Sequence, residues 1–562
     1  MRFKIVLFLL AVITLAGCKK DFLERLPQDQ LTDDTYWTSE TNVRTFAWAF
    51  YPAYFGGYGS GFAWGKFFSG QALNDDFAPS SPSQFTQNVP ASGGGWSFTW
   101  VRKANIFINR VQTVPMSDEA IKHWTGIGRF FRALEYHDLV KRFGDVPWIG
   151  RELTDSDEEE LYKPRDSRTL VMDSVLADFE YAAANVRASD GTAGLSVNKY
   201  VVLAMMSRVF LFEGTYHKYH NIDQAKATKY LEAAKWAANE VIASTKYQLA
   251  ADYRGLFNSL SLAGNKEILL YREYATGLLT HSLNSYVNKE PQTGTSKDAI
   301  ESYLSEDGLP ISLSPLYKGD KTIADVMTDR DPRIYETFVQ QLRLNGVAAN
   351  YSTSGYAVHK FLNEAIKDLP EGNSSLNPTD APVIRYGEVL LNYAEAAAEL
   401  GTLTQADLDK SINVLRSRAD VQMPALQISG GAPAVGGVAY DDPNRDPNVP
   451  AMIWEIRRER RVELMMEGFR LDDLKRWKKL DYTDTQGSDI NRGAWIKKAD
   501  YPGLKDVKIE NDAAEGYIIP AWKPETQRRF TDPKVYLEPL PLDQIKLYQD
   551  KGVELKQNPG WQ

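Results

Sequence analysis

Four glutamates, Glu455, Glu459, Glu463 and Glu467, recur every four residues, a spacing that puts their carboxylates on one face of a helix. Arg457, Arg458, Arg460 and Arg461 are interleaved with them, and Arg470 follows closely. A pair of carboxylates is the equipment of a glycosidase, one protonated as general acid and one ionised as base or nucleophile. Guanidinium groups on all sides would hold both ionised and remove the acid, so the pattern reads as a structural ion-pair network. The interleaved glutamates also cancel the positive field that a nucleic-acid site needs. Other catalytic constellations are missing: of six His only His217 and His220 lie close together, and there is no H-E-x-x-H, G-x-S-x-G or Walker A run. Asn74-Asp75-Asp76 and Asp441-Asp442 have the oxygen ligands for a structural Ca²⁺, or serve as ordinary turn and cap residues. No catalytic residue, resident metal or cofactor is assigned, and the chain is not expected to be an enzyme.

The aromatic residues carry a different chemistry. From Phe46 to Phe68, eleven of twenty-three residues are aromatic. Phe46, Phe50 and Tyr54 share a helical face and are expected in a core, whereas Tyr58 and Trp64 fall in a Gly-rich run and Trp96 follows a Gly triplet. Sugar rings present apolar C–H faces that stack on aromatic planes, and rigid rings give contact area at low entropic cost. Trp96, Tyr58 and Trp64 are therefore the leading glycan-contact candidates, with Asn74, Asp75 and Arg102 as polar partners.

These loops must be held by something, and helical periodicity dominates the rest of the chain. Val171, Val175, Phe179, Ala182 and Val186 mark one helix face, and Ala227, Tyr230, Leu231, Ala234, Ala238, Val241 and Ile242 another, behind Asp223 as N-cap. Similar stripes run from Ile127 to Val140, Lys199 to Phe212 and Ile384 to Leu400. Successive amphipathic helices with short connections predict stacked helix pairs, loosely of tetratricopeptide spacing, with few short strands. Long turn-rich segments at 56–65, 78–96, 275–298, 366–382 and 424–450 interrupt them, and long loops in a helical protein are more often functional than idle.

The 562 residues carry a net charge of -9, 43% hydrophobic residues and one cysteine, Cys18. Arg2 and Lys4 precede an apolar run from Ile5 to Leu15, and Leu15-Ala16-Gly17-Cys18 resembles the bacterial lipobox. That resemblance implies cleavage before Cys18 and acylation of its sulfur and new amino group, enough lipid for stable anchoring. Removal of Arg2 and Lys4 would take the charge from -9 to -11. Lys19-Lys20-Asp21 and Glu24 partly match a Bacteroidetes surface-export signal.

Further motifs are more specific. Ile456-Arg457-Arg458-Glu459-Arg460-Arg461-Val462-Glu463-Leu464, then Glu467-Gly468-Phe469-Arg470 and Asp473-Leu474-Lys475-Arg476-Trp477, resemble the E-R…E-L…E-G-x-R and D-L-x-R-W pattern of the SusD/RagB family. Arg385-Tyr386-Gly387-Glu388-Val389-Leu390-Leu391-Asn392-Tyr393-Ala394-Glu395-Ala396 and Gln557-Asn558-Pro559-Gly560-Trp561 are similar to further parts of it. The resemblance implies a mainly α fold: tetratricopeptide-like helix pairs in a superhelical scaffold against a loop-rich ligand-binding half. It divides the chain into a signal peptide (1–17), a lipid-anchored tether (18–35), an N-terminal region (36–265) and a C-terminal region (266–562). It also implies an outer-membrane lipoprotein facing outward that captures a glycan for a SusC-like TonB-dependent transporter. Within the loop that ends near Asp307-Gly308 it adds Tyr286 and His281 as candidates. Peptide capture, as in RagB, is an alternative on the same scaffold; a lipoprotein glycosidase and a pure protein–protein scaffold are more distant ones.

Overall fold

Ser117, Ser167, Asn198 and Asp223 each accept a hydrogen bond from a backbone N–H two or three residues downstream. These side chains satisfy N–H groups that the first turn of a helix leaves without partners. In the computed structural model, which describes residues 33–59 and 73–562, they start the four longest helices. With a preceding helix α1 (Thr99–Val111), these are α2 (Asp118–Phe143), α3 (Arg168–Asn185), α4 (Lys199–Tyr219) and α5 (Gln224–Ala243). The helix α6 (Tyr386–Glu399) packs on α5, and α7 (Ala451–Glu463) packs on α6 ahead of the short α8 (Arg470–Arg476). α1 with α2, α2 with α3 and α4 with α5 form successive packed pairs. The expected stripe Val171, Val175, Phe179 and Ala182 is fully buried, as are Tyr230, Ala234, Ala238 and Val241 on α5. Phe50 stacks on Phe131, ring centroids 4.7 Å apart, inside the same core. No helix among the described residues is long and apolar enough to cross a membrane. Cys18 and Trp64 lie outside the described residues.

The few strands are two to five residues long, and four of them pair across great sequence distances. β1 (Phe77–Ala78) pairs antiparallel with β3 (Gly294–Thr295), and β2 (Ile268–Arg272) with β4 (Ala381–Arg385). Ile384 and Arg385 therefore belong to a strand, and the helix expected from Ile384 starts at Tyr386. The turn-rich segment 424–450 contains a meander, β5 (Gln427–Ser429), β6 (Ala432–Val435) and β7 (Val438–Ala439). Its two hairpin loops are Gly430-Gly431 and Gly436-Gly437, all four at positive φ, as two-residue turns between twisted strands demand. β8 (Trp495–Lys497) pairs with β9 (Glu515–Tyr517). A second core, containing Tyr253, Phe257, Tyr303 and Phe361, lies beneath this loop-rich half.

The glutamate stripe of α7 joins these parts. Glu463 accepts from Arg385 (2.7 Å), Arg418 (2.9 Å) and Arg333 (2.9 Å), and Glu459 accepts from Arg416 (2.8 Å) and is ion-paired with Arg333 (2.8 Å). Glu467, just beyond the helix, accepts from Arg385 and Lys360. The network expected from the spacing is present, but most of its arginines come from distant segments. Of the interleaved arginines of α7, Arg458 pairs with Glu455 of the stripe (3.2 Å), and Arg457, Arg460 and Arg461 bond Glu399, Asp473 and Asp76.

Candidate functional site

With the glutamate face of α7 fixed to the interior, its remaining face is defined. Trp454, Arg457, Arg458 and Arg461 follow at spacings of three, one and three, which places them on one side of the helix. That side walls a cleft of about 380 Å³, within the range of small-molecule sites. Trp477 and Tyr482 supply two further rings, Asn444, Arg445 and Asp446 come from the segment after the meander, and Asp75, Asp298 and Glu301 line the remainder. Trp454 and Tyr482 are half-buried, whereas Trp477 is buried and donates its indole N–H to Glu395 (2.7 Å).

The charges of the cleft are tied to one another. Arg470 holds Asp75 through two bonds of 2.6 Å; Arg461 bonds Asp76 (2.8 Å) and Asp298 (2.7 Å); Arg458 pairs with Asp442; Lys479 and Tyr482 both donate to Asp446 at 2.5 Å. Arg457 lies over the Trp477 ring, 4.3 Å from its centroid, and bonds Glu399 (3.2 Å). Each such group is oriented yet retains unused capacity, since a carboxylate offers about four lone-pair positions and a guanidinium five N–H groups. Burial alone would raise the Asp75 carboxyl, but Arg461 and Arg470 hold it below the ordinary carboxylate range. Asp446 is likewise lowered to about 2, burial being outweighed by the Lys479 and Tyr482 contacts. Glu301 is the exception: burial raises it despite its contact with Lys297.

The network predicts an acid-sensitive fold. Glu463 is lowered because Arg418, Arg385 and Arg333 outweigh its burial; Asp472 is lowered to about 2, burial being offset by Lys141. Groups depressed in the folded state contribute stability that is complete above their unfolded pKa, near 4, and is lost as pH falls through the folded value. Urea unfolding midpoints should therefore change little from these groups above about pH 5 and fall steeply between about pH 4.5 and 2. A midpoint that holds steady through that window would contradict the assignment.

Most residues singled out in the sequence lie elsewhere. Trp96 is 8% exposed and packs edge-on against Phe98 and Phe143, so its faces are not offered to a ligand. The turn before it is pinned by Arg142, which donates to the Gly94 carbonyl (2.7 Å); a Cβ at Gly95 would lie 2.0 Å from that guanidinium. Tyr58 is buried, donates to the Phe257 carbonyl (2.8 Å) and meets His281 edge-on at 4.9 Å. His281 is fully buried, its Nε2 on the Thr379 carbonyl and its Nδ1 accepting from the Leu283 N–H; burial lowers its pKa to about 4. Tyr286 is buried and its hydroxyl accepts from the Thr293 N–H. Asn74 is buried with its side chain on the Asp76 N–H, and Arg102 is exposed on α1. Tyr58 and His281 are thus brought together, but in the core; of the described candidates, Asp75 alone lines the cleft. In both acidic loop runs the carboxylates of Asp75, Asp76, Asp441 and Asp442 face guanidinium groups. Among the described residues no group of three or more His, Cys, Asp and Glu is placed to hold a metal.

A larger cavity of about 680 Å³ lies between α2, α4 and α8. Its charges are consumed in internal pairs: Tyr54 with Glu135 (2.7 Å), Lys141 with Asp472 (2.8 Å) and Arg208 with Glu388 (2.6 Å). The helix pairs border it together with Gly56, Gly95 and Ser97 of the Gly-rich loops, whereas the smaller cleft brings Trp454 and Tyr482 together with guanidinium and carboxylate groups and is the candidate.

Comparison with known proteins agrees with this architecture. The family model that describes the SusD family matches residues 281–561. SusD-like protein P38 of Formosa agariphila is 26% identical over 496 residues, spanning 84% of this chain and 90% of that protein. A solved SusD-like carbohydrate-binding protein from Bacteroides fragilis superposes with a TM-score of 0.66 at 22% identity, covering 91% of this chain and 99% of that one. A laminarin-binding SusD-like protein gives 0.55 at 18% identity, covering 93% and 100%. At such identities the structural likeness speaks for the fold, and ligand must be argued from the site.

Proposed function

The chain belongs to the SusD family, and on that premise we propose that it binds a carbohydrate in the Trp454 cleft. One observation carries this reading: half-buried Trp454 stands on the same helix face as Arg457, Arg458 and Arg461, in one cleft with Tyr482 and with carboxylates whose orientation is already fixed. A sugar can stack a C–H face on an indole ring while its hydroxyls meet polar groups that need no reordering, which limits the entropic cost of binding. The names of solved neighbours, carbohydrate-binding in one case and laminarin-binding in another, support the same class of ligand. We further propose that Cys18 carries the lipid that holds the protein on the outer face of the outer membrane. The captured glycan then passes to a SusC-like TonB-dependent transporter.

The cleft is read as a binding site without hydrolysis. Asp75 and Asp446 are held ionised by their cationic neighbours, which deprives them of a general acid's proton; Glu301 alone is shifted the other way. Affinity electrophoresis through a panel of polysaccharides, with product analysis by chromatography, tests both parts. Retardation by at least one polysaccharide without released product is expected. No retardation by any of them overturns carbohydrate binding, and product formation that Glu301→Gln abolishes makes the cleft an active site.

A further inference from the structure

Trp522 is one of the exposed rings that the cleft leaves unexplained. It is 49% exposed, large for a ring that carries so much apolar surface, and its backbone is held firmly. Immediately before it, the Asn491 side chain accepts from the Ala521 N–H (3.0 Å) and donates to the Ala521 carbonyl (3.2 Å). Lys508 and Lys523 flank the ring, their ammonium nitrogens 5.2 and 5.4 Å from its centroid. The indole borders a shallow, open depression of about 590 Å³, whose lining includes Gln486, Arg492, Asn511 and Gln527. Gln486 and Gln527 are joined amide to amide (2.6 Å), so planar donors and acceptors stand beside an aromatic plane here too.

The depression and the Trp454 cleft adjoin. Ser488 lines both. The segments that form them are also fixed to each other by the buried Arg528, which donates to the carbonyls of Thr483 (2.8 Å) and Asn74 (3.1 Å), the latter beside Asp75 on the cleft wall. The Thr485 N–H bonds the Arg528 carbonyl (3.0 Å), and the Arg528 N–H returns to the Thr485 hydroxyl (2.8 Å). Two aromatic surfaces held rigidly in series match an extended polymer better than a compact ligand, because a preorganised surface binds each additional unit without reordering itself.

We infer that the cleft and the Trp522 shelf form one elongated surface for a linear oligosaccharide, with one end in the cleft and the following units passing Ser488 to stack on Trp522. This rests on the carbohydrate reading of the cleft and adds the ligand's form: a chain longer than the cleft can contain, bound with an affinity that rises with length. The shelf acts only on the distal units.

The test uses the full chain and size ladders, from disaccharide upward, prepared by partial hydrolysis of laminarin, xylan, pectin, pullulan, galactan and mannan. Affinities are measured by titration calorimetry for the unaltered protein, Trp522→Ala and Trp454→Ala. The unaltered protein should gain affinity with length, and Trp522→Ala should lose about fivefold to tenfold for long members while leaving the shortest binding members unchanged. Trp454→Ala should weaken every length. Affinity independent of length, or a length profile that Trp522→Ala does not alter, overturns the elongated surface while leaving the cleft as a sugar site. Failure of every ladder to bind overturns the carbohydrate reading itself and this inference with it.

Discussion

Glu463→Gln should leave the protein severely destabilised, with the largest loss of any single substitution considered. The Glu463 carboxylate is fully buried and receives three guanidinium groups, from Arg333, Arg385 and Arg418. Glutamine keeps the volume and one carbonyl acceptor but removes the charge and turns an N–H₂ toward donors. Breaking a buried ion pair from one side costs about 3–5 kcal/mol, because the partner charge is left buried and uncompensated. Here three partners are affected, so the loss should reach at least that range and release α7 from β4, from the 331–333 segment and from the 416–418 segment together. Urea unfolding followed by circular dichroism measures it, with Glu554→Gln, at an exposed glutamate, as control. A Glu463→Gln midpoint equal to that of the control would show that the glutamate stripe does not fix α7.

Trp454→Ala should separate binding from folding. The ring is half-buried, so its removal should cost less stability than a core aromatic, yet it takes away the principal stacking plane of the cleft. Central aromatic anchors of a binding surface typically cost 2 kcal/mol or more on truncation, and the expected loss is therefore about 30-fold or more in affinity for any retarding polysaccharide. Trp454→Phe should recover part of it, since a ring remains, while Arg458 stays paired with Asp442 in either variant. Calorimetric titration alongside urea unfolding checks the pair of outcomes. Unchanged affinity in a folded Trp454→Ala protein would remove the ring from the site.

How much of this was legible in the sequence depends on the range of the interactions involved. Helix pairs were, because Val171, Val175, Phe179 and Ala182 are bound by a local period, and Asp223 caps α5 as its position before the apolar stripe suggests. The start of α6 was misplaced because Ile384 and Arg385 look helical next to Tyr386-Gly387-Glu388, while their pairing with β2 reaches across more than a hundred residues. Gly430-Gly431 and Gly436-Gly437 did carry a hairpin signal, two glycine pairs flanked by short apolar runs, inside a segment expected only as loop. Trp96 and Tyr58 were expected at a binding face because they stand in Gly-rich loops, but the positive-φ turn at Gly93-Gly94-Gly95 folds Trp96 back onto the scaffold, and a bond to the Phe257 carbonyl holds Tyr58 in the core. The cleft itself was partly visible. Trp454, Arg457, Arg458 and Arg461 lie on one helix side within the same stretch as the denser Glu repeat. Their neighbours Asp75 and Tyr482 come from sequence-distant segments, and no spacing rule connects them.

The most direct test of the Trp454 cleft as the carbohydrate site is a crystal structure of the protein with an oligosaccharide cut from a polysaccharide that retards it. A sugar ring stacked on Trp454, with hydroxyls on groups such as Arg457, Asn444 or Asp298, is the expected result. Sugar density confined to the larger cavity beside Tyr54 and Trp100, with the Trp454 cleft empty at saturating ligand, would contradict it.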